Sequence, residues 1–172
     1  SRGLGDVYKR QAVLLSWFFE SQVTTTVIVT THAELETDLS SNSGLSDEGM
    51  ERANRLATTL SSVDVIAGLD AIYTTSYRST QETAEPISRL LNLPINIVDQ
   101  DVAESFIQSI MDNHAGQIIL IVSHPENLPR LIVELQGSKK VNPESLTKND
   151  QLFIVTAPWF GKVKTLQLTY GT

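Results

Sequence analysis

The sequence predicts an α/β domain with three layers, α/β/α, and helices on both faces of a mostly parallel central sheet. Short β-branched runs alternate with segments of helical period from residue 23 onward, which is the pattern of repeated strand–helix units. One run, QIILIVS (117–123), is apolar nearly throughout, as expected of a parallel strand covered on both faces. A chain of 172 residues, 41% hydrophobic and 19% charged, is long and apolar enough to bury the core of one domain.

Residues 1–22 stand apart as a leader or a non-native N-terminal segment, and 23–172 form the domain. SRGLGDVYKRQ (1–11) has no clear periodicity. AVLLSWFF (12–19) follows Lys9 and Arg10; it reads equally as the apolar region of a leader or as a turn of helix, and is too short to span a bilayer. TTTVIVTT (24–31) is a buried strand. Ser46 is placed as an N-cap, with Asp47 and Glu48 in the first turn of a helix, where the dipole favours anions. Met50, Ala53, Leu56, Ala57 and Leu60 form its apolar face. DAIYTT (70–75) is the next strand. The helix after it turns Ala84, Ile87, Leu90 and Leu91 inward. PINIV (94–98) is a short strand. Val102, Phe106, Ile107 and Ile110 mark a third helix, and Leu128, Leu131, Ile132 and Leu135 a fourth, with Pro129 tolerated in its first turn. QLFIVT (151–156) is a late strand. In the last one Leu166, Leu168 and Tyr170 alternate with Thr165, Gln167 and Thr169, which predicts one wet face.

The composition excludes several functions. There is no cysteine, so disulfides, thiolate metal sites and cysteine nucleophiles are ruled out. The formal charge of −7 and the lack of a basic run disfavour nucleic acid and anionic membranes. His32-Ala33-Glu34 invites a zinc reading, but the paired cysteines that such deaminases need are missing, as is a His-Glu-x-x-His pattern. Neither a Gly-x-Ser-x-Gly elbow nor a phosphate-binding Gly-rich loop ending in Lys-Ser/Thr occurs.

Three histidines remain. His114 ends a helix before Gly116 and is placed as a surface or capping residue. His32 and His124 each follow an apolar strand directly, where α/β sheets place ligands. A single histidine there is more often structural; two in equivalent positions suggest chemistry. A neutral imidazole can attack phosphorus through one bare nitrogen while its other N–H is held by an acceptor. A second, protonated imidazole and helix N-termini can stabilise the phosphoryl oxygens.

VIVTTHAE (27–34) resembles the first strand and the Arg-His signature of the histidine phosphatases, the phosphoglycerate-mutase-like superfamily. LSDEGMERANRLATTL (45–60), LDAIYTTSYRSTQETAEPISRLLNLPI (69–95) and IILIVSHPENLPRLIVELQG (118–137) are similar to its later segments. DQLFIVT (150–156) and LQLTYG (166–171) resemble the ending of a subgroup of small members. The similarity spans about residues 23–172. It implies that His32 is the phosphorylated nucleophile, that His124 contacts the transferring phosphate, and that Glu34 supports them. It implies no metal and no cofactor, and as partner a phosphorylated small molecule or a phosphoprotein. The chain lacks the long insertions of the mutases, so mutase activity is not expected. Similar small members often carry leaders, which leans toward a periplasmic or secreted protein. Oligomeric state is not readable.

Two signature positions differ. The family has arginine before the nucleophilic histidine, where this chain has Thr31. It has another arginine four residues before the threonine of its Gln-Thr-Ala segment. Counting back from Thr83, that position is Ser79; Arg78 is one residue out of phase, about 100° round a helix. A phosphomonoester brings about −1.5 to −2 charges, which arginine meets with fixed, charged, bidentate donors. Losing one such donor costs about 10²–10³ in rate, and losing two roughly 10⁴ or more, short of additivity. Arg78 or Arg130 would have to turn in to compensate. Asp101 and Glu104 are the candidate proton donors by position, but the simpler reading makes them solvated first-turn residues. The sequence thus implies a phosphomonoester hydrolase acting through a phosphohistidine, with activity weakened or lost. The alternative is an inactive relative that binds an anionic ligand or a protein.

Overall fold

The computed structural model describes residues 2–21, 23–37, 41–62, 68–136, 150–158 and 161–170. Its elements run α1 (Arg2–Ser21), β1 (Thr24–Thr31), α2 (Asp47–Ser62), β2 (Ala71–Thr74), α3 (Arg78–Leu91), β3 (Ile95–Ile97), α4 (Ala103–Asn113), β4 (Ile118–Ser123), α5 (Leu128–Gln136), β5 (Gln151–Pro158) and β6 (Lys164–Thr169). The six strands form one sheet in the order β3-β2-β4-β1-β5-β6. The first four are parallel; β5 runs antiparallel to β1, and β6 antiparallel to β5.

The alternation of side chains along each strand sorts the core into two halves. Val27, Val29, Ile119, Ile121, Phe153 and Val155 face α4 and α5 through Phe106, Ile107, Ile110, Leu128, Leu131, Ile132 and Leu135. Ile28, Leu120, Val122 and Leu152 face α2 and α3 through Leu56, Ala57, Leu60, Ala84 and Ile87. The three-layer α/β/α architecture is therefore the one expected. β1 and β4 sit at its centre, buried on both faces because a helical layer lies over each.

Five expected core positions lie elsewhere. Met50 is exposed, and Gly49 takes the buried place before Ala53. The α3 stripe is the polar-looking Ser79, Thr80 and Thr83, then Ala84 and Ile87; Leu90 is 58% exposed, while Leu91 packs against the core. Val102 is the N-cap of α4, not part of its buried face, and is 61% exposed. β6 is exposed on both faces, so the expected dry side with Leu166 and Leu168 is absent; only Tyr170, just past its end, is buried. β6 is the edge strand and pairs with β5 alone.

α1 is helical, and its described side chains, Val13, Leu14 and Leu15 among them, are exposed. Among the described residues no helix is long and apolar enough to cross a membrane.

Leu120 is fully buried on the central strand. Leu120→Ala is expected to cost about 2–5 kcal/mol, against at most about 0.5 kcal/mol for the exposed Leu90→Ala, measured as urea unfolding free energies.

Candidate active site

The register of the two central strands determines where the histidines fall. Thr31 pairs with Ser123 at the carboxyl ends of β1 and β4, and the His32 amide donates to the Ser123 carbonyl at 3.0 Å. The next residues, His32 and His124, therefore emerge side by side, with ring centroids 5.4 Å apart and planes at 62°. His114 precedes β4, whose length of about 20 Å separates the two ends. It caps α4 and holds Tyr73 Oη at 2.6 Å through Nε2 and Gln117 Oε1 at 2.6 Å through Nδ1. Its expected capping role holds, but it is part-buried rather than on the surface.

The His32 ring is oriented by its own chain. Nδ1 lies 2.8 Å from the Ala33 carbonyl oxygen. A carbonyl can only accept, so Nδ1 carries the proton and the neutral ring keeps a bare lone pair on Nε2. His124 Nε2 lies 3.0 Å from Thr75 Oγ1, which is 2.8 Å from Thr80 Oγ1. The Thr80 hydroxyl donates to the Tyr77 carbonyl at 2.9 Å. The assignment that satisfies this chain has Thr75 donating to Thr80 and accepting from His124 Nε2–H. The Tyr77 ring stands edge-on to His124, centroids 4.7 Å apart. Burial, with the neighbouring His32 ring, holds His124 below its ordinary value against the opposing pull of Glu126 and Asp101.

Main-chain bonds hold the loop after His32. The Ala33 amide donates to Thr83 Oγ1 at 3.0 Å, and that hydroxyl donates to the Ser79 carbonyl at 2.8 Å. The Glu34 carbonyl accepts from the Ser46 amide at 2.9 Å, and Ser46 Oγ caps α2 by accepting from the Gly49 amide at 3.1 Å, as its sequence position predicts. A Cβ at Gly49 would lie 2.1 Å from the Glu34 carbonyl oxygen, so only glycine permits this approach. The Glu34 carboxylate grips Arg52 of α2 through two contacts, at 2.7 and 2.5 Å. That hydrogen bond raises the guanidinium's already high value. Tyr170 lies in the same network, its hydroxyl pushed up to about 12 by burial. Glu34 thus works from beneath the loop.

A cavity of about 410 Å³ opens over the imidazoles, lined by His32, His124, Ser79, Tyr77, Asp101 and Glu126 together with Leu35, Asn127 and 41–43. Of the expected residues, His32, His124 and Ser79 meet there. Thr31 is buried at the end of β1 and is not among the lining residues. Arg78 lies outside: its guanidinium pairs with Glu82 at 2.6 Å and packs over Gly44. Arg130 lines a separate groove between α4 and α5 with Glu104 and Glu134. No Arg or Lys is among the described lining residues. Asp101 lines it and is solvent-exposed, as its solvated reading expects, while Glu104 does not line it. Sequence reasoning missed Thr75, Tyr77 and Glu126, though all three follow the carboxyl ends of β2 and β4, the same positional rule that singled out the histidines. The sequence leaves substrate choice to the polar loops 35–45 and 137–149, and the second of these lies outside the described residues.

Among the described residues no group of three or more His, Asp or Glu could hold a metal ion.

Two measurements test this geometry. Gly49→Ala is expected to lower thermal stability and to shift the His32 ring resonances, because the Glu34 carbonyl must move; unchanged values would refute the close approach. The folded protein should protonate His124 less readily than the unfolded chain. This stabilisation is present above pH about 6.5 and is lost as pH falls through the folded value. Ring NMR should place the His124 midpoint below the ordinary one, and sulfate, whose charge favours the imidazolium, should move it up.

Comparison with known proteins agrees with this arrangement. The family model for the histidine phosphatase superfamily (branch 1) matches residues 27–104. No curated protein matches the chain. Among solved structures it is similar to the putative phosphohistidine phosphatase SixA from Nakamurella multipartitia (TM-score 0.69, 12% identity, covering 87% of this chain and 98% of that one). It is similar also to the protein histidine phosphatase SixA complexed with tungstate (0.66, 18%, 84% and 96%). A putative alpha-ribazole-5'-P phosphatase from Escherichia coli has the same fold (0.64, 16%, 86% and 96%). At these identities the likeness to solved structures speaks for the fold, and the segment matched by the histidine phosphatase model ends at residue 104.

Proposed function

We propose that the protein is a phosphomonoester hydrolase that works through a phosphohistidine on His32, with a weakened phosphate seat. The observation that carries this is the His32 ring itself: Nδ1–H is committed to the Ala33 carbonyl, which leaves Nε2 bare beside a second imidazole in an open cavity. In the first step Nε2 attacks phosphorus and the bond to the ester oxygen breaks. Asp101, at the cavity wall, is the general acid that gives the leaving oxygen its proton. In the second step water attacks the phosphohistidine, Asp101 takes its proton, and the P–N bond breaks to release phosphate and neutral His32. His124, protonated on Nδ1 once the phosphate dianion is bound, and the Ser79 hydroxyl donate to the phosphoryl oxygens. Glu34, bound to Arg52, holds the loop.

The second reading, an inactive relative that binds an anion or a protein, is favoured by one feature. The described cavity wall has no Arg or Lys and includes two carboxylates, Asp101 and Glu126. With Thr31 and Ser79 at the two positions where the family resemblance expects arginine, catalysis would lack its permanent positive charge.

Hydrolysis of an aryl phosphate separates the two. The wild type is expected to exceed His32→Ala by at least about tenfold, and Ser79→Arg to raise kcat/KM by about 10–100-fold. A wild type no faster than His32→Ala would leave the binding reading.

A further inference from the structure

A second hollow of about 370 Å³ adjoins the first. The two share Tyr77, Asp101, His124 and Asn127, so His124 and Tyr77 stand on their common wall. The second is lined further by Thr75 and Ser76 after β2 and by the segment 97–101 after β3. Its chemistry is one-sided, because acceptors dominate that segment. Asp99 and Asp101 are exposed carboxylates. Gln100 between them is 2% exposed; its Nε2 donates to the Val122 carbonyl at 3.4 Å, which leaves Oε1 buried without a hydrogen-bond partner. A buried acceptor without a donor is unfavourable, and a ligand bringing N–H groups relieves it.

We infer that this adjoining hollow seats the alcohol part of the substrate and selects phosphomonoesters whose alcohol carries an ammonium group. The inference rests on the hydrolase reading and names its substrate class. The phosphoryl group lies over the imidazoles; the alcohol passes Asp101, its proton donor, and brings its ammonium to Asp99 and toward Gln100 Oε1. An ammonium has only donors, which suits a wall of acceptors. Glu126 on the first hollow adds to the same field, whereas an anionic alcohol part would meet like charge there.

The test compares O-phosphoethanolamine with propyl phosphate, nearly equal in size and differing in the ammonium. The expected preference in kcat/KM is about tenfold, shrinking as salt is raised. Asp99→Asn keeps the oxygen that accepts from the Asp101 amide at 2.9 Å and removes the charge; it is expected to cut the preference by about threefold. Glu85→Gln, on an exposed ion pair with Arg89 of α3, is expected to leave the preference as it is. Equilibrium binding of both esters to His32→Ala reads the hollow without turnover. Hydrolysis without preference, or with a preference that Asp99→Asn leaves intact, overturns the inference and spares the hydrolase reading. No hydrolysis above His32→Ala overturns the hydrolase reading, and the ratio of the two Kd values then decides: tenfold tighter binding of phosphoethanolamine upholds the selective hollow, and equal binding overturns it.

Discussion

The pairing of β1 with β4 is the constraint on which the rest depends. Two parallel strands in register, Thr31 opposite Ser123, deliver two residues far apart in sequence to adjacent points on the sheet edge. Strand spacing is about 4.8 Å, and the imidazole centroids lie 5.4 Å apart, so the ring separation is close to a property of the sheet. A slip of one residue would turn every side chain of the strand to its other face. The two apolar halves of the core, each filled by alternate residues of β1 and β4, make that slip prohibitive. Core packing and site geometry therefore have one cause.

The same placement governs the electrostatics. Pairing brings two imidazoles together under partial burial, which holds His124 toward its neutral form. A second proton in this space is disfavoured until an anion arrives to offset it. Arg78 is occupied by Glu82 and Arg52 by Glu34, so these guanidiniums serve the scaffold. Positive charge over His32 is conditional on protonation.

Much of this was legible from the chain. The apolar runs at β1 and β4 and the histidines following them were readable because burial on both faces leaves an unmistakable composition. What escaped was of a different kind. Ser79, Thr80 and Thr83 look like surface residues, yet they are buried because their hydroxyls or carbonyls satisfy the turn before α3 and the loop after His32. Leu90 and Met50 look like core but lie off the buried stripe. Asp101 has the spelling of any first-turn acid, and only the packing of the β3–α4 segment against the β4 end makes it part of the wall. Apolar periodicity reports which face is dry; it is silent about polar groups whose partners come from elsewhere in the chain.

Ser79 has a consequence for how such a protein can change over time. Its contribution to the loop comes through its backbone carbonyl, held by Thr83, and any residue supplies that group. The hydroxyl at this point is therefore not what holds the loop, whereas Gly49, a bare Cα against the Glu34 carbonyl, admits no side chain. A change of side chain here alters the charge of the cavity while the hydrogen bonds that tie α3 to the loop after His32 are kept.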